Sequence, residues 1–420
     1  MLTISEKLEF YLLCALLFVL PTMETPKALA LVLFVAVWIG RRVSLSGWRR
    51  FRPDLIEVTL LAMLGAGVAS TAANWPFPNG TKGVVDTLRN VAVFWCIYRA
   101  GYSASQHRTL ANAITWGLGV GLAVATFELA TGRRGLFELH SAGILTQSAI
   151  YVSIVFVLAL GIFLTRWLPR GLESGTKAPF WPWTLAMPAM LLALIVMGSR
   201  GALLALLLAV LFIAVCVHRA RFWAALAVGV ILVASAGFAM MKLEATSKMM
   251  ASTQGRFASE RLSQSDLGHY ENIRVALAQV RQTDSPWLGI GPRNYRSIDL
   301  SRLTFDPPLR LPGAQDTLNH AHNLFLTKLV EEGLIGLVAF LSLIGVVAYQ
   351  LFKDMCDGGW YEWRWFAGFG ALVIPVVGGM VNTPFYQEHA MLAMALMAIY
   401  LGARRGVTGA AAPKARPASG

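Results

Sequence analysis

Residues 191–217 read LLALIVMGSRGALLALLLAVLFIAVCV, two apolar runs joined by the three-residue polar corner Gly198-Ser199-Arg200. Taken with the residues before it, the first run extends over 181–197, and the second over 201–217. Each is close to the roughly 17 to 25 residues that a helix needs to cross a bilayer. Arginine at such a corner is costly inside hydrocarbon and tolerable at its surface, so Arg200 marks a membrane edge. It is either a snorkelling residue that ends a span or an anion site at the surface, where a planar guanidinium forks two phosphate oxygens.

Working outward from this corner, similar blocks recur along the 420-residue chain: 8–20, 27–40, 55–72, 84–100, 109–130, 144–166, 222–241, 334–352, 364–381 and 386–403. With 56% hydrophobic and 14% charged residues, several soluble domains are excluded. The reading is an all-α polytopic membrane protein with about twelve transmembrane helices. No small-residue cleavage site follows 8–20, so that block is expected to be the first span. The four cysteines have neither metal-ligand nor disulfide spacing.

The net charge of +13 sits mostly in short loops, which fits orientation rather than nucleic-acid binding. A cytoplasmic N-terminus places Arg41, Arg42, Arg49, Arg50, Arg52, Arg166, Arg170, Arg219, Arg221, Arg364, Arg404 and Arg405 inside. The expected organisation is a transmembrane bundle over 1–241, a large outer loop over 242–333, further spans over 334–403, and a disordered cytoplasmic tail over 404–420. Within the outer loop, Ile273, Leu277 and Val280 recur at helical spacing, so 269–282 is expected to be an amphipathic helix with Arg274 and Arg281 on another face. The segment 287–295 is a Gly/Pro turn, and 299–318 an irregular, Pro-containing stretch that suits a lid or docking loop.

The loop returns to the membrane through NHAHNLFLTKLVEEGLIG, residues 319–336. His320 and His322 flank Ala321, and Asn323 follows. One reading is an interfacial helix whose polar side meets water. The other is a general base, because histidine titrates near neutral pH and proton transfer at a bound hydroxyl contributes roughly 10² to 10⁴ in rate. His322 is the first choice and His320 the second. Tyr386 and Glu388, in NTPFYQEH at 382–389, are candidates to line an acceptor entrance, and an interfacial belt explains them equally simply.

Four pieces in this order resemble the O-antigen ligase and polymerase superfamily: GSRGALLA at 198–205, the arginine-bearing helix at 271–280, PWLGIGPRNY at 286–295 and HNLFLTKLVEEGLIGL at 322–337. The resemblance covers the second half of the chain; the first half resembles the family only in being hydrophobic. It implies a GT-C-like fold with one large periplasmic helical loop, in a multi-pass protein of the bacterial inner membrane. It further implies a metal-independent glycosyltransferase that needs no cofactor. That enzyme takes a glycan from undecaprenyl pyrophosphate and joins it to a sugar hydroxyl of lipid A core at the periplasmic face. Carried over residue by residue, Arg200 and Arg274 match the family's essential arginines and His322 the histidine before asparagine. His320, Asn323, Arg281, Arg293, Tyr386 and Glu388 are the candidate substrate contacts. Arg293 departs from the family pattern, which often has glycine there; it either adds a phosphate contact or loosens the turn. The same motifs fit an O-antigen polymerase or a protein O-oligosaccharyltransferase. A lipid-linked glycan transporter fits less well, since mid-span charges are scarce.

Overall fold

A computed structural model describes residues 3–44, 53–76, 79–134, 137–141, 145–167, 181–217, 259–283, 285–310, 320–358, 362–381 and 385–410. These form α1 (Ile4–Val19), α2 (Glu24–Ser44), α3 (Leu55–Ala73), α4 (Gly80–Ala100), α5 (Ala104–Ala130) and α6 (Leu145–Trp167). Then come α7 (Trp181–Met197), α8 (Arg200–Val217), α9 (Ser259–Gln282), α10 (Leu324–Cys356), α11 (Trp363–Gly379) and α12 (Glu388–Ala410). A helix lies on every expected apolar block within the described residues; the block 222–241 lies outside them. By length and composition, Leu55–Ala73, Ala104–Ala130, Thr146–Thr165 and Leu324–Cys356 suffice to cross a membrane. Ala186–Met197, Arg200–Cys216 and Trp363–Gly379 are shorter apolar helices. The described residues are thus all-helical, consistent with a polytopic membrane protein. At its C-terminal end, α12 runs on to Ala410, past the point where the tail was expected to become disordered.

The central helix is α6, whose residues from Ala149 to Leu160 are all buried. Neighbours approach it closely where glycine removes a side chain: a β-carbon on Gly370 of α11 would lie 2.7 Å from Val157, and one on Gly161 2.3 Å from Phe366. Without water to oppose, such close backbone contact is a main source of helix association in lipid.

Charged side chains gather at the two ends of the bundle. At one end Arg41 pairs with Glu9 at 3.2 Å, Arg99 with Glu57, Arg404 with Asp354, and Arg405 with Asp54 at 3.5 Å. At the other, Lys27 pairs with Glu24 at 2.8 Å and with Glu388, Arg89 lies 3.9 Å from Glu388, and Arg293 Nε lies 2.5 Å from Asp86 Oδ2. The first end carries the basic loops read as cytoplasmic, the second the outer segment.

A second, smaller core lies at that outer end. Val275 and Ala276 of α9, Tyr295, Ile298, Ala321 and Val330 are buried together, with Ile290, Leu303, Phe305 and Leu326 packed against them. It exists because α9 buries a face formed by Val275 and Ala276, with Val280 beside them, while the expected Leu277 is 39% exposed, and because α10 begins before the apolar span does. The span was expected to start at 334; the helix starts at Leu324 and continues through Cys356. Its two parts meet at Gly333, whose φ of 68° and ψ of −169° are not helical.

That break would strand backbone groups, and the turn 286–291 takes them up. Ile290 N–H donates to the Val330 carbonyl (3.0 Å) and Gly291 N–H to that of Glu331 (2.7 Å). Leu334 N–H donates to Pro286 O (3.0 Å) and Ile335 N–H to Trp287 O (3.2 Å). Irregular backbone survives near a membrane only where protein satisfies it in this way. Glycine is required on both sides: a β-carbon on Gly333 would lie 2.2 Å from Trp287 O, and one on Gly289 2.5 Å from Val330 O. The α3–α4 hairpin clamps the turn from outside, through Asn74 Nδ2 to Gly289 O (2.9 Å), Ser70 Oγ to Glu331 O (2.8 Å) and Gly83 beneath Pro292.

Candidate functional site at the outer rim

Asn323 caps α10: its Oδ1 accepts from Leu326 N–H (2.9 Å) and its Nδ2 donates to Met380 O (3.0 Å) just beyond α11. The cap satisfies an otherwise unpaired N–H and anchors the helix start to its neighbour. The preceding residue, His322, is held at φ 52°, a left-handed conformation uncommon outside glycine. That turn swings its ring against two others. The His322 and His269 rings stack with centroids 4.0 Å apart and planes 19° apart, and the His320 and His322 rings lie 4.4 Å apart at 44°.

His269, on α9, was not among the residues singled out from the sequence. It stands about fifty positions before its partners, and only the fold of α9 over the start of α10 brings them together. His322 Nδ1 and His320 Nε2 are buried and make no hydrogen bond among the described residues. Burial, with the neighbouring imidazoles adding repulsion, pulls the His322 pKa down to about 3. Burial, with His269 and Arg296 nearby, pulls His320 down to about 4. Both rings are therefore neutral at physiological pH, and values this low make each a weaker proton acceptor than a free imidazole unless a bound substrate raises them. Among the described residues no cluster of three or more His, Cys, Asp or Glu side chains is arranged to hold a metal ion.

Arg200 opens α8, directly after Gly198 (φ 63°) turns the chain, and is exposed. Two glycines at the end of α11 place it relative to the histidines. A β-carbon on Gly378 would lie 3.9 Å from that of Ala205 in α8, and one on Gly379 2.8 Å from that of Leu324 in α10. Arg200 precedes Ala205 by five residues, about 7.5 Å along the helix, and His322 precedes Leu324 by two. The N-terminal ends of α8 and α10 thus meet on the last turn of α11, at one face of the bundle. The positive dipole ends of α8 and α10 lie there, partly capped by Ser199 and Asn323 and opposed by the C-terminal end of α11.

Arg274 is placed differently. It follows His269 by five residues, so at 100° per residue its side chain leaves another side of α9. Its Nη1 pairs with Glu271 at 3.0 Å and reaches the Pro308 carbonyl at 3.5 Å, its Nη2 donates to the Pro307 carbonyl, and its guanidinium lies 5.9 Å from the Tyr270 ring centroid. Arg281 is exposed at the last turn of α9.

The remaining sequence candidates form a separate, buried group. Arg293 is held at φ 60° and pairs with Asp86, its guanidinium 5.5 Å from the Tyr386 ring. The Tyr386 hydroxyl donates to Glu331, whose carboxylate also accepts from Tyr295 N–H (3.3 Å). Glu388 is buried between Lys27 and Arg89. Tyr386, Glu388 and Arg293 therefore brace the 286–294 turn and the start of α12, instead of lining an open entrance. Nothing in a linear reading distinguishes a buried brace from an exposed rim, because Asp86, Lys27 and Glu331 are remote in the chain.

No curated protein was found to match the chain. Residues 185–341 match the family model described as O-Antigen ligase. That interval holds α8, α9, the 286–294 turn, the three histidines and the broken first part of α10, and over it the chain is similar to the O-antigen ligase family.

Proposed function

We propose that this protein transfers a glycan from undecaprenyl pyrophosphate to a sugar hydroxyl of lipid A core at the periplasmic face of the bacterial inner membrane. The observation that supports the reading is the approach of the N-terminal ends of α8 and α10 to the last turn of α11, with Arg200 opening the one helix and His322 shortly preceding the other. In the proposed reaction His322 takes the proton of the acceptor hydroxyl, that oxygen bonds the anomeric carbon, and the bond from that carbon to the pyrophosphate oxygen breaks. One displacement inverts the anomeric centre. Positive charge on Arg200 and Arg274, with the two helix N-termini, stabilises the leaving pyrophosphate. In this reading Arg274 exchanges the Pro307 and Pro308 carbonyl oxygens for phosphate oxygens when the donor binds, which requires its side chain to swing from its present side of α9 towards His269 and His322. His320 packs the base from behind and Asn323 fixes its backbone. The reaction needs no metal or cofactor.

The test is reconstitution with undecaprenyl-pyrophosphate-linked glycan and either lipid A core or a second lipid-linked repeat as acceptor. Transfer to lipid A core, abolished by His322→Ala, Arg200→Ala and Arg274→Ala, supports the proposal. Transfer only to the lipid-linked repeat makes the protein a polymerase, and an unchanged rate in His322→Ala removes the base.

A further inference from the structure

Tyr295 opens a short 3-10 helix, Tyr295–Ser297, and is buried with Ile298 against Ala321, the residue between His320 and His322. Three more contacts fix that helix in place. The Tyr295 hydroxyl donates to Asn272 O of α9 (2.6 Å), the Tyr295 N–H to Glu331 Oε1 (3.3 Å), and Asn294 Oδ1 accepts from the Asn79 N–H at the start of α4 (3.2 Å). Between the two buried side chains stands Arg296, which is exposed. Other arginines of the outer segment are engaged: Arg274 with Glu271 and Pro307, Arg293 with Asp86, and Arg302 with Asp299 at 3.1 Å. Arg296 makes no hydrogen bond or ion pair among the described residues, and it lies close enough to His320 to disfavour protonation of that ring.

We propose that Arg296 is a specificity-determining residue that pairs with an anionic substituent, phosphate or carboxylate, on the acceptor sugar. Chemistry selects the class, because a guanidinium forks the paired oxygens of either group. Geometry selects the acceptor over the donor. In an inverting displacement the base and the leaving group stand on opposite faces of the anomeric carbon, so a cation on the imidazole side meets the incoming sugar and not the departing pyrophosphate. Pairing also acts on the base. A free guanidinium beside His320, whose ring lies 4.4 Å from that of His322, repels the proton that the imidazoles must take. An acceptor anion on Arg296 cancels that charge, so a charged acceptor makes the cluster a stronger proton acceptor than a neutral one does. The inference rests on the glycan-transfer reading of the proposed function and adds which acceptors it favours.

The test gives the full-length protein in nanodiscs the lipid-linked donor and three lipid A core acceptors that differ on the accepting sugar. One is neutral, one carries a phosphate monoester beside the accepting hydroxyl, and one carries a carboxylate there. In wild type at least one charged acceptor exceeds the neutral one about tenfold or more in kcat/KM. Arg296→Gln removes that preference, Arg296→Lys retains part of it, and Arg296→Glu reverses it. A second measurement needs no turnover: in equilibrium binding of the same acceptors, Arg296→Gln weakens the preferred charged one about tenfold. Equal kcat/KM for all three acceptors in wild type, or a preference that survives in Arg296→Gln, overturns the assignment. If wild type transfers glycan to no acceptor, binding decides: dependence on Arg296 keeps the assignment while the ligase reading falls, and its absence removes both.

Discussion

The His269 ring lies flat on the His322 ring at 4.0 Å, joining the outer helix α9 to the residue proposed as base. The contact sets the dielectric of the imidazole. Buried between two other rings, His322 stays unprotonated far below the pH at which a free histidine titrates, an ordinary value of about 6.5. A stack of this kind also ties the position of the base to the fold of α9, although about fifty residues separate them.

The stack makes stability depend on pH. His322 and His320 have folded values lowered to about 3 and about 4, so between those values and about 6.5 the unfolded chain binds more protons than the folded one. Their stabilisation is fully present above about pH 6.5 and is lost progressively as pH falls towards 3. Melting temperature in detergent should therefore drop from pH 7 to pH 4, with a shallower drop in a His320→Phe variant. An equal slope in both proteins would show that these rings do not set it.

Gly333→Ala should unfold or mispair the break. Its φ of 68° costs a side chain about 1–3 kcal/mol, and the added β-carbon meets Trp287 O at 2.2 Å in a backbone that is itself hydrogen-bonded to α10. The expected readout is a melting temperature several degrees lower, with faster amide exchange over 286–291.

Tyr386→Phe removes the hydroxyl that donates to the buried Glu331 carboxylate. Leaving that acceptor short of a donor costs about 1–3 kcal/mol. Glu331→Gln combined with Tyr386→Phe should lose less than the sum of the two single changes, and a double-mutant cycle in thermal stability measures the coupling. Additivity would place the two side chains in independent environments.

Arg293→Gly should destabilise this protein. Relief of a left-handed backbone contributes about 1–3 kcal/mol, offset in part by the freedom glycine adds to the unfolded chain. Losing Arg293 leaves Asp86, which is 5% exposed, with Arg89 at 3.6 Å as its remaining partner, and costs on the order of 3 kcal/mol or more. Asp86→Asn in the same background should recover most of the loss. If Arg293→Gly alone raises the melting temperature, the pair is not a brace.

Arg274→Ala should release the 304–310 segment, because the guanidinium is what holds the Pro307 and Pro308 carbonyls to α9. Limited proteolysis or amide exchange over 304–310 should rise severalfold, while the same measurement on Arg200→Ala stays at the wild-type level. Both variants should lose transfer activity, so the exchange data separate a tether from a pyrophosphate contact.

Much of this architecture is legible in the chain itself. A membrane helix announces its position by an uninterrupted apolar run, and an amphipathic one by its period, since both signals are local. That is why α1 to α8, α11 and α12 fall where 8–20, 27–40 and their successors predict, and why Arg200 reads as a membrane edge. The histidines, the arginines and the Gly/Pro turn were also visible as residue types. Their relations were not. The Gly333 break is stable only because a turn more than forty residues earlier supplies its hydrogen bonds. Arg274 faces two carbonyls rather than the imidazoles because five residues along a helix turn its side chain away. Tyr386 and Glu388 are braces because Glu331, Lys27 and Arg89 converge on them from other helices. Hydrophobic length and period decide where helices form; backbone pairing and the burial of opposite charges between distant segments decide what faces what, and those exist only once the chain has folded.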